Sequence, residues 1–499
     1  MMRIKTTEIN PNIYFYTILK HSYHMTMSQY KSIKKPALFI LCLLTVFAFQ
    51  SCDEKHAAPK NTKPNIIILL ADDMGYGDLQ CYGNPTIRTP HIDSLAASGI
   101  RFTSFETAPW CVPSRAELMT GRYELRTRFN GGTGAGGHGG LPDSIVTLAQ
   151  ALRDAGYATG MAGKWHLGYD PKKYLPTNRG FDSWLGLPYS NDYKKPYVQT
   201  DVPLVMYRDT TVAEYPVDED SLTVKYTAEA IRFIREKRDG DRPFFFYLAY
   251  NMPHLPLHTT TEFYGKSKAG LFGDVVETVD WSVGQILKAL KDAGVSDNTI
   301  IYFGSDNGPW QNTPPRMFGK LTEPEGSNKQ IWERGGNKPW DVGSSGPLRG
   351  YKFTSYEGGP RVPAMIRWPG HIKPNQVSDA LLTHMDLYTT FIKIGGGHLP
   401  GYKIDGMDMT PFLTGHVSHS PRQEYGYFVN QFEAIREGEW KLREAADSDI
   451  ELFNMQYDPD ERYNEAANHP EIVKQLQQKM DELANDIGVK AQKAKRDSN

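Results

Sequence analysis

The stretch Cys111-Val112-Pro113-Ser114-Arg115 combines residue types and a spacing that can do covalent chemistry on an anion. Pro113 suits a first helical turn, residues 116–119 are good helix formers, and Gly121 is the type that closes a helix in the left-handed conformation. The pattern predicts a short helix with Cys111 just before its start. A side chain there meets unpaired backbone N–H groups and the positive end of the helix dipole, which favour an anion or a thiol of lowered pKa. Arg115 lies one turn further on, so both residues can address one small anionic group, although a buried free cysteine beside a surface arginine is the better reading of Cys-x-Pro-x-Arg taken alone. Two acidic pairs stand elsewhere. Asp72-Asp73 follows the continuous apolar run 66–70, and Asp306-Asn307 follows the run 299–303. Each pair therefore sits at the carboxyl end of a strand buried on both faces, where open α/β sheets place ligands. Oxygen ligands without clustered histidine or thiolate favour Ca²⁺ or Mg²⁺ over zinc. A solvated turn with helix-capping aspartates accounts for Asp72-Asp73 equally well.

Further polar candidates fall in the same kind of place. Lys164 and His166 are two apart, so on an extended segment both point to one face, though a lone Lys-x-His is more often surface decoration. His254 lies between prolines after the apolar run 243–248, and a packed loop residue explains it as well as a binding one does. The elements that must hold these residues alternate. Helices are expected over 144–155, ending at Gly156, and over 221–237, 272–294, 381–394 and 470–487. Strands are expected over 66–70, 243–248, 299–303 and 362–368, and a hairpin over 434–442. The glycine-dense segment 131–137 shows no helix or strand pattern and lacks the Gly-Lys-Ser/Thr of a P-loop, so it reads as a loop rimming a pocket with His138 exposed. Residues 307–346 form a long irregular insertion, a place for substrate-binding side chains such as Trp340.

The whole run Cys-x-Pro-Ser-Arg followed by Leu-x-Thr-Gly-Arg resembles the signature of the type I formylglycine-dependent sulfatases, arylsulfatase A-like members of the alkaline phosphatase superfamily. Gly163-Lys164-Trp165-His166-Leu167-Gly168 resembles their second signature, and the likeness runs from about Pro64 to the C-terminal region. The resemblance implies an α/β fold, a large mixed and mostly parallel sheet flanked by helices, with a smaller C-terminal α+β subdomain. It implies that a maturation enzyme oxidises Cys111 to Cα-formylglycine, and that Asp72, Asp73, Asp306 and Asn307, with residue 111, hold one divalent ion, usually Ca²⁺. Lys164, Ser190, His254 and Lys352 are implied sulfate contacts, His166 a base, and Arg115 a charge-neutralising group. Around Lys352, Tyr351 stands where glycine is common in the family, and Phe353 departs as well. The implied reaction is sulfate-ester hydrolysis through a gem-diol nucleophile and a sulfated enzyme, on an aryl sulfate or a sulfated saccharide of galactose or N-acetylgalactosamine type. Alternatives are a phosphodiesterase or phosphonate hydrolase of the same superfamily, or a catalytically silent glycan-binding lipoprotein.

At 499 residues with a net charge of −2, the chain can bury a large core and has no basic footprint, which argues against nucleic acid as a partner. Lys31, Lys34 and Lys35 precede an apolar run over 37–49 that ends at Ser51-Cys52, the pattern of a lipoprotein signal peptide over 1–52, with Met25 or Met27 as an alternative start. The expected organisation is this leader, a tether over 53–63, a catalytic domain over 64–415, an antiparallel-sheet subdomain over 416–488 and a disordered tail over 489–499. The protein is thus expected to be exported, periplasmic or at the outer membrane or cell surface, touching the membrane only through lipid on Cys52. Of four cysteines, Cys42 falls in the apolar run, Cys52 at the lipidation position and Cys111 at the nucleophile position, leaving Cys81 alone and no disulfide framework.

Overall fold

The computed structural model describes residues 63–129, 134–238, 240–318, 336–429, 431–446 and 448–490. The leader, nearly all of the tether with Cys52, residues 319–335 of the long insertion, and residues 491–499 of the tail lie outside the described residues.

Strand β1, Asn65–Ala71, is buried at every position. Its alternating side chains feed two cores: Ile66, Ile68 and Leu70 face one, Ile67 and Leu69 the other. A strand with no polar face can only lie inside a sheet covered on both sides. β1 is flanked by β5 (Phe244–Ala249) and β6 (Thr299–Ser305), both parallel to it. Outside β5 come β3 (Ala158–Gly163) and β4 (Ser183–Gly186), also parallel, then a short hairpin. On the other side β7 (Arg361–Arg367) runs antiparallel to both β6 and β2 (Ile100–Glu106). Eleven strands join this sheet among the described residues.

Helices cover both faces. α3 (Leu222–Lys237) and α4 (Gly270–Asp292) pack their apolar sides, including Phe233, Val275 and Val279, into one core. α2 (Leu148–Asp154) and α5 (His384–Ile394) pack Leu152, Tyr388 and Phe391 into the other. α2 begins later than the periodicity suggests because Thr147 and Gln150 form a reciprocal capping box that fixes its start. α5 likewise starts at His384, since Leu382 and Thr383 pair with β2. The glycine-dense loop contains one short element unseen in the sequence: Gly139–Gly140 pairs antiparallel with Gly168–Asp170. His138 is exposed and paired with Asp170.

The C-terminal region carries a four-stranded antiparallel sheet, β8 (Glu424–Phe428), β9 (Phe432–Glu437), β10 (Trp440–Arg443) and β11 (Glu451–Asn454), covered by α6 (Pro470–Ile487). Its seam with the large sheet is ionic. Lys441, fully buried on β10, bonds Glu357 at 2.7 Å and Glu461 at 2.9 Å. Glu106, at the end of β2, faces Arg436 at 3.5 Å, yet neither of its carboxyl oxygens has a hydrogen-bond partner among the described residues. Burial and the neighbouring Glu357 carboxylate push the Glu106 carboxyl up to about 8, against the pull of Arg436 and Lys441.

Candidate active site

The register of one strand pair creates the site. β1 and β6 run in step to their last residues, Ala71 opposite Ser305, so the two acidic pairs leave the sheet side by side. The Asp306 amide donates to the Ala71 carbonyl at 3.0 Å, and the Asp73 amide donates back to Asp306 Oδ1 at 3.1 Å. Asp72, Asp73, Asp306 and Asn307 are all buried. The open choice between a ligand site and a solvated turn at Asp72-Asp73 thus falls against the solvated turn, since both residues are buried.

Three buried cations answer the three carboxylates. Lys164 Nζ lies 2.6 Å from Asp72, and Lys352 Nζ lies 2.8 and 2.9 Å from the two Asp73 oxygens. The Arg115 guanidinium donates to Asp306 from Nε at 3.0 Å and from Nη2 at 2.7 Å, and also stands 3.5 Å from Asp72. It is held in place by the Lys164 carbonyl at 3.2 Å and the Tyr247 hydroxyl at 3.4 Å. Burial alone would raise the Asp72 carboxyl; Lys164, His254 and Arg115 hold it below the usual carboxylate range.

Cys111 sits in the middle. Its Sγ is 3.2 Å from Lys352 Nζ, 3.6 Å from Asp72 and 3.9 Å from Asp73. Helix α1, Cys111–Thr120, takes Cys111 as its first residue, one position earlier in the helix than the sequence suggests, because the extended Trp110 serves as N-cap; Gly121 closes it at φ 65°. A low thiol pKa is not what results. Burial pushes the Cys111 thiol well above its usual range, and Lys164 and Lys352 only partly offset this against Asp306 and Asp72. As a thiol, Cys111 is therefore a poor nucleophile.

His166 and His254 complete the wall. β3 ends at Gly163 and His166 has φ 61°, so the chain turns there; Lys164 and His166 do not share a face through simple strand alternation. Both ring nitrogens of His166 are buried with no hydrogen-bond partner among the described residues. Burial together with Lys164 and Arg115 holds the ring far below its usual pKa, hence neutral and able to accept a proton. His254 Nε2 is 3.6 Å from Asp73, and Ser190 Oγ is 3.3 Å from His254 Nδ1.

All eleven polar residues singled out in the sequence converge here. Trp340 does not join them; it is 75 % exposed. What the sequence reading missed is aromatic: Trp310 lies against His254 with ring centroids 5.3 Å apart and under Lys352 Nζ at 4.9 Å. Its position four residues past Asp306 was the available signal. Asn307 Oδ1 is also buried and unpartnered among the described residues, while Asn307 Nδ2 donates to Asp73 at 2.7 Å. Oxygens of Asp72 and Asp306 lie within 4.8 Å of each other and of Cys111 Sγ, as do Asp73 and a His254 nitrogen with that same sulfur. An orphan amide oxygen beside three carboxylates fits a hard divalent cation.

A doubly covered α/β sheet that gathers acids, bases and a lone cysteine at its strand ends defines a hydrolase for small anionic esters. The chain belongs to the sulfatase family: the Sulfatase family model matches residues 64–397, and a model for the C-terminal part of N-sulphoglucosamine sulphohydrolase matches residues 351–486. It is a sulfuric ester hydrolase. It is 39% identical to N-acetylgalactosamine-6-sulfatase of Rattus norvegicus over 77% of this chain and 72% of that protein. It is 36% identical to arylsulfatase A of Homo sapiens over 83% of this chain and 86% of that protein. Among solved structures, Ps i-CgsB in complex with k-i-k-neocarrahexaose superposes with a TM-score of 0.71 at 29% identity, covering 85% of this chain and 93% of that one.

Proposed function

We propose that this sulfatase removes sulfate esters from saccharides of galactose or N-acetylgalactosamine type. The observation that carries the reading is the charge balance around Cys111. Asp72, Asp73 and Asp306 are matched one for one by Arg115, Lys164 and Lys352, all buried. A divalent cation added to this neutral cluster leaves an excess of positive charge that only an anion can offset. Relatives that act on sulfated sugars, by their names, support the saccharide.

The cation, Ca²⁺ in preference to Mg²⁺, would be held by Asp72, Asp73, Asp306, Asn307 and residue 111; it supplies Lewis-acid neutralisation of the sulfuryl oxygens. Cys111, oxidised by a maturation enzyme to formylglycine, supplies a hydrated aldehyde in place of a thiol that burial keeps inert. The rest is the work of fixed side chains. Arg115, Lys164 and Lys352 neutralise charge on the transferring group. His166, held neutral, takes a proton within the site, and His254, braced by Ser190, or Lys352 assists the departing sugar oxygen. The sequence pattern supports export and anchoring through lipid on Cys52.

The test is sulfate release from defined sulfated mono- and disaccharides by protein produced with a maturation enzyme. Release from one regioisomer, abolished in Cys111→Ala and restored after chelation by Ca²⁺, is the expected result. No release from any sugar, with the aldehyde verified by mass spectrometry, would overturn the saccharide reading.

A further inference from the structure

Phe353 is out of place by three physical criteria. Its backbone is left-handed, φ 69°, a conformation costly for a bulky side chain and free for glycine. The ring is 40% exposed despite being apolar. And it follows directly on Lys352, whose amine touches Cys111 Sγ.

The surroundings hold it there. The Phe353 amide donates to the Pro109 carbonyl at 2.8 Å, and the Lys352 amide donates to the Pro309 carbonyl at 3.0 Å. Each of these prolines is followed by a tryptophan, and both tryptophans flank the phenyl ring. Trp110 lies at 6.0 Å between centroids, tilted by 42°, and Trp310 at 6.5 Å, edge-on at 79°. Lys352 Nζ sits 4.9 Å from the Trp310 ring centroid and 5.3 Å from that of Phe353. The two half-buried indoles and the exposed phenyl make a continuous aromatic wall that starts at the charged floor and reaches solvent.

We propose that Trp110, Phe353 and Trp310 form a stacking wall for the pyranose ring that carries the scissile sulfate, with Phe353 as a specificity-determining residue. The inference rests on the saccharide reading above. The charged floor takes the sulfate and cannot tell one ester from another. The bare C–H face of a sugar is the apolar surface such a wall would cover, and it is presented one bond beyond the sulfate oxygen. A strained, exposed aromatic persists at a site when it serves a ligand, since neither the backbone nor the core gains from it.

Binding separates the wall from the floor. Calorimetric titration of the protein, wild type, Phe353→Gly and Trp310→Ala, with hexose and N-acetylhexosamine monosulfates and with inorganic sulfate gives both affinities. For the tightest sugar we expect a loss of about tenfold or more in each variant, with sulfate affinity unchanged in Phe353→Gly. Phe353→Gly should also melt at the wild-type temperature or above it, because glycine relieves the left-handed strain. Unchanged sugar affinity in Phe353→Gly, equal losses of sugar and sulfate affinity in that variant, or a wild type that binds sulfate but no sugar sulfate would each overturn the wall. Sugars that bind in the expected pattern but release no sulfate would count against the hydrolytic reading and leave the wall standing.

Discussion

Replacing Arg115 by methionine tests whether a cation shares the carboxylates that the guanidinium holds. Methionine keeps much of the volume and removes the charge, leaving Asp306 at 2.7 Å and Asp72 at 3.5 Å without their buried partner. At an effective dielectric of about 20 the two attractions amount to roughly 6 and 5 kcal/mol gross. Desolvation of the guanidinium offsets most of that, and uncovering one partner of a buried pair costs about 3–5 kcal/mol net. For the roughly 400 residues that the structure describes, the unfolding entropy is about 0.85 kcal/mol/K, so the melting temperature in chelator should fall by about 4–6 °C. A bound cation changes the comparison. At about a hundred times its Kd it adds about 2.7 kcal/mol to wild type, and it should add more to the variant, where Asp72 and Asp306 no longer bond Arg115. Scanning calorimetry of both proteins in chelator and in excess Ca²⁺ should therefore show the deficit shrinking by half or more when Ca²⁺ is present. A deficit of equal size in both buffers would refute the reasoning, because the cation and the arginine would then not compete for the same oxygens.

Three further outcomes are expected. His166→Asn should lower kcat by about 10²–10⁴-fold in a sulfate-release assay while moving the melting temperature by no more than ~1 °C, since the ring makes no hydrogen bond among the described residues. Glu106 is neutral in the fold up to about 8, whereas the unfolded chain ionises it near 4.5. The folded state therefore binds the extra proton between those values, and stability falls as pH rises through that window. Glu106→Gln should flatten the melting temperature across pH 5–8 and exceed wild type at pH 9; a variant that tracks wild type across the range would show that Glu106 does not titrate there. Lys441→Met leaves Glu357 and Glu461 facing each other without their amine, and denaturant unfolding should report a loss of about 3–5 kcal/mol.

Apolar runs carried most of the legible fold. The runs at 66–70, 243–248 and 299–303 read as buried strands and are central in the sheet, and with them came the places where Asp72 and Asp306 leave it. Helix α6 starts at Pro470 and stops before Gly488, as its cap residues dictate. Less legible were features set by distant partners. The left-handed turn at His166 depends on its amide reaching the Pro188 carbonyl at 3.0 Å, which no local pattern announces. The Cys111 thiol was misjudged because the helix N-terminus is visible in sequence, while complete burial beneath two lysines and two aspartates is not. Trp110 and Trp310 are far apart in sequence and meet only across Phe353.

The in-step ends of β1 and β6 also order events in time. During synthesis, Asp72, Cys111, Arg115 and Lys164 emerge well before Asp306 and Lys352. Until β6 slots between β1 and β7, Arg115 has no Asp306, Asp73 has no lysine, and the edge of β1 stays open. Closure across such a sequence separation carries a loop-entropy cost that nearer pairings do not. In the finished protein Cys111 is 4 % exposed, too little for another enzyme's active site to grip. An enzyme that converts this thiol would reach it more readily before β6 joins β1, because the finished fold leaves Cys111 buried.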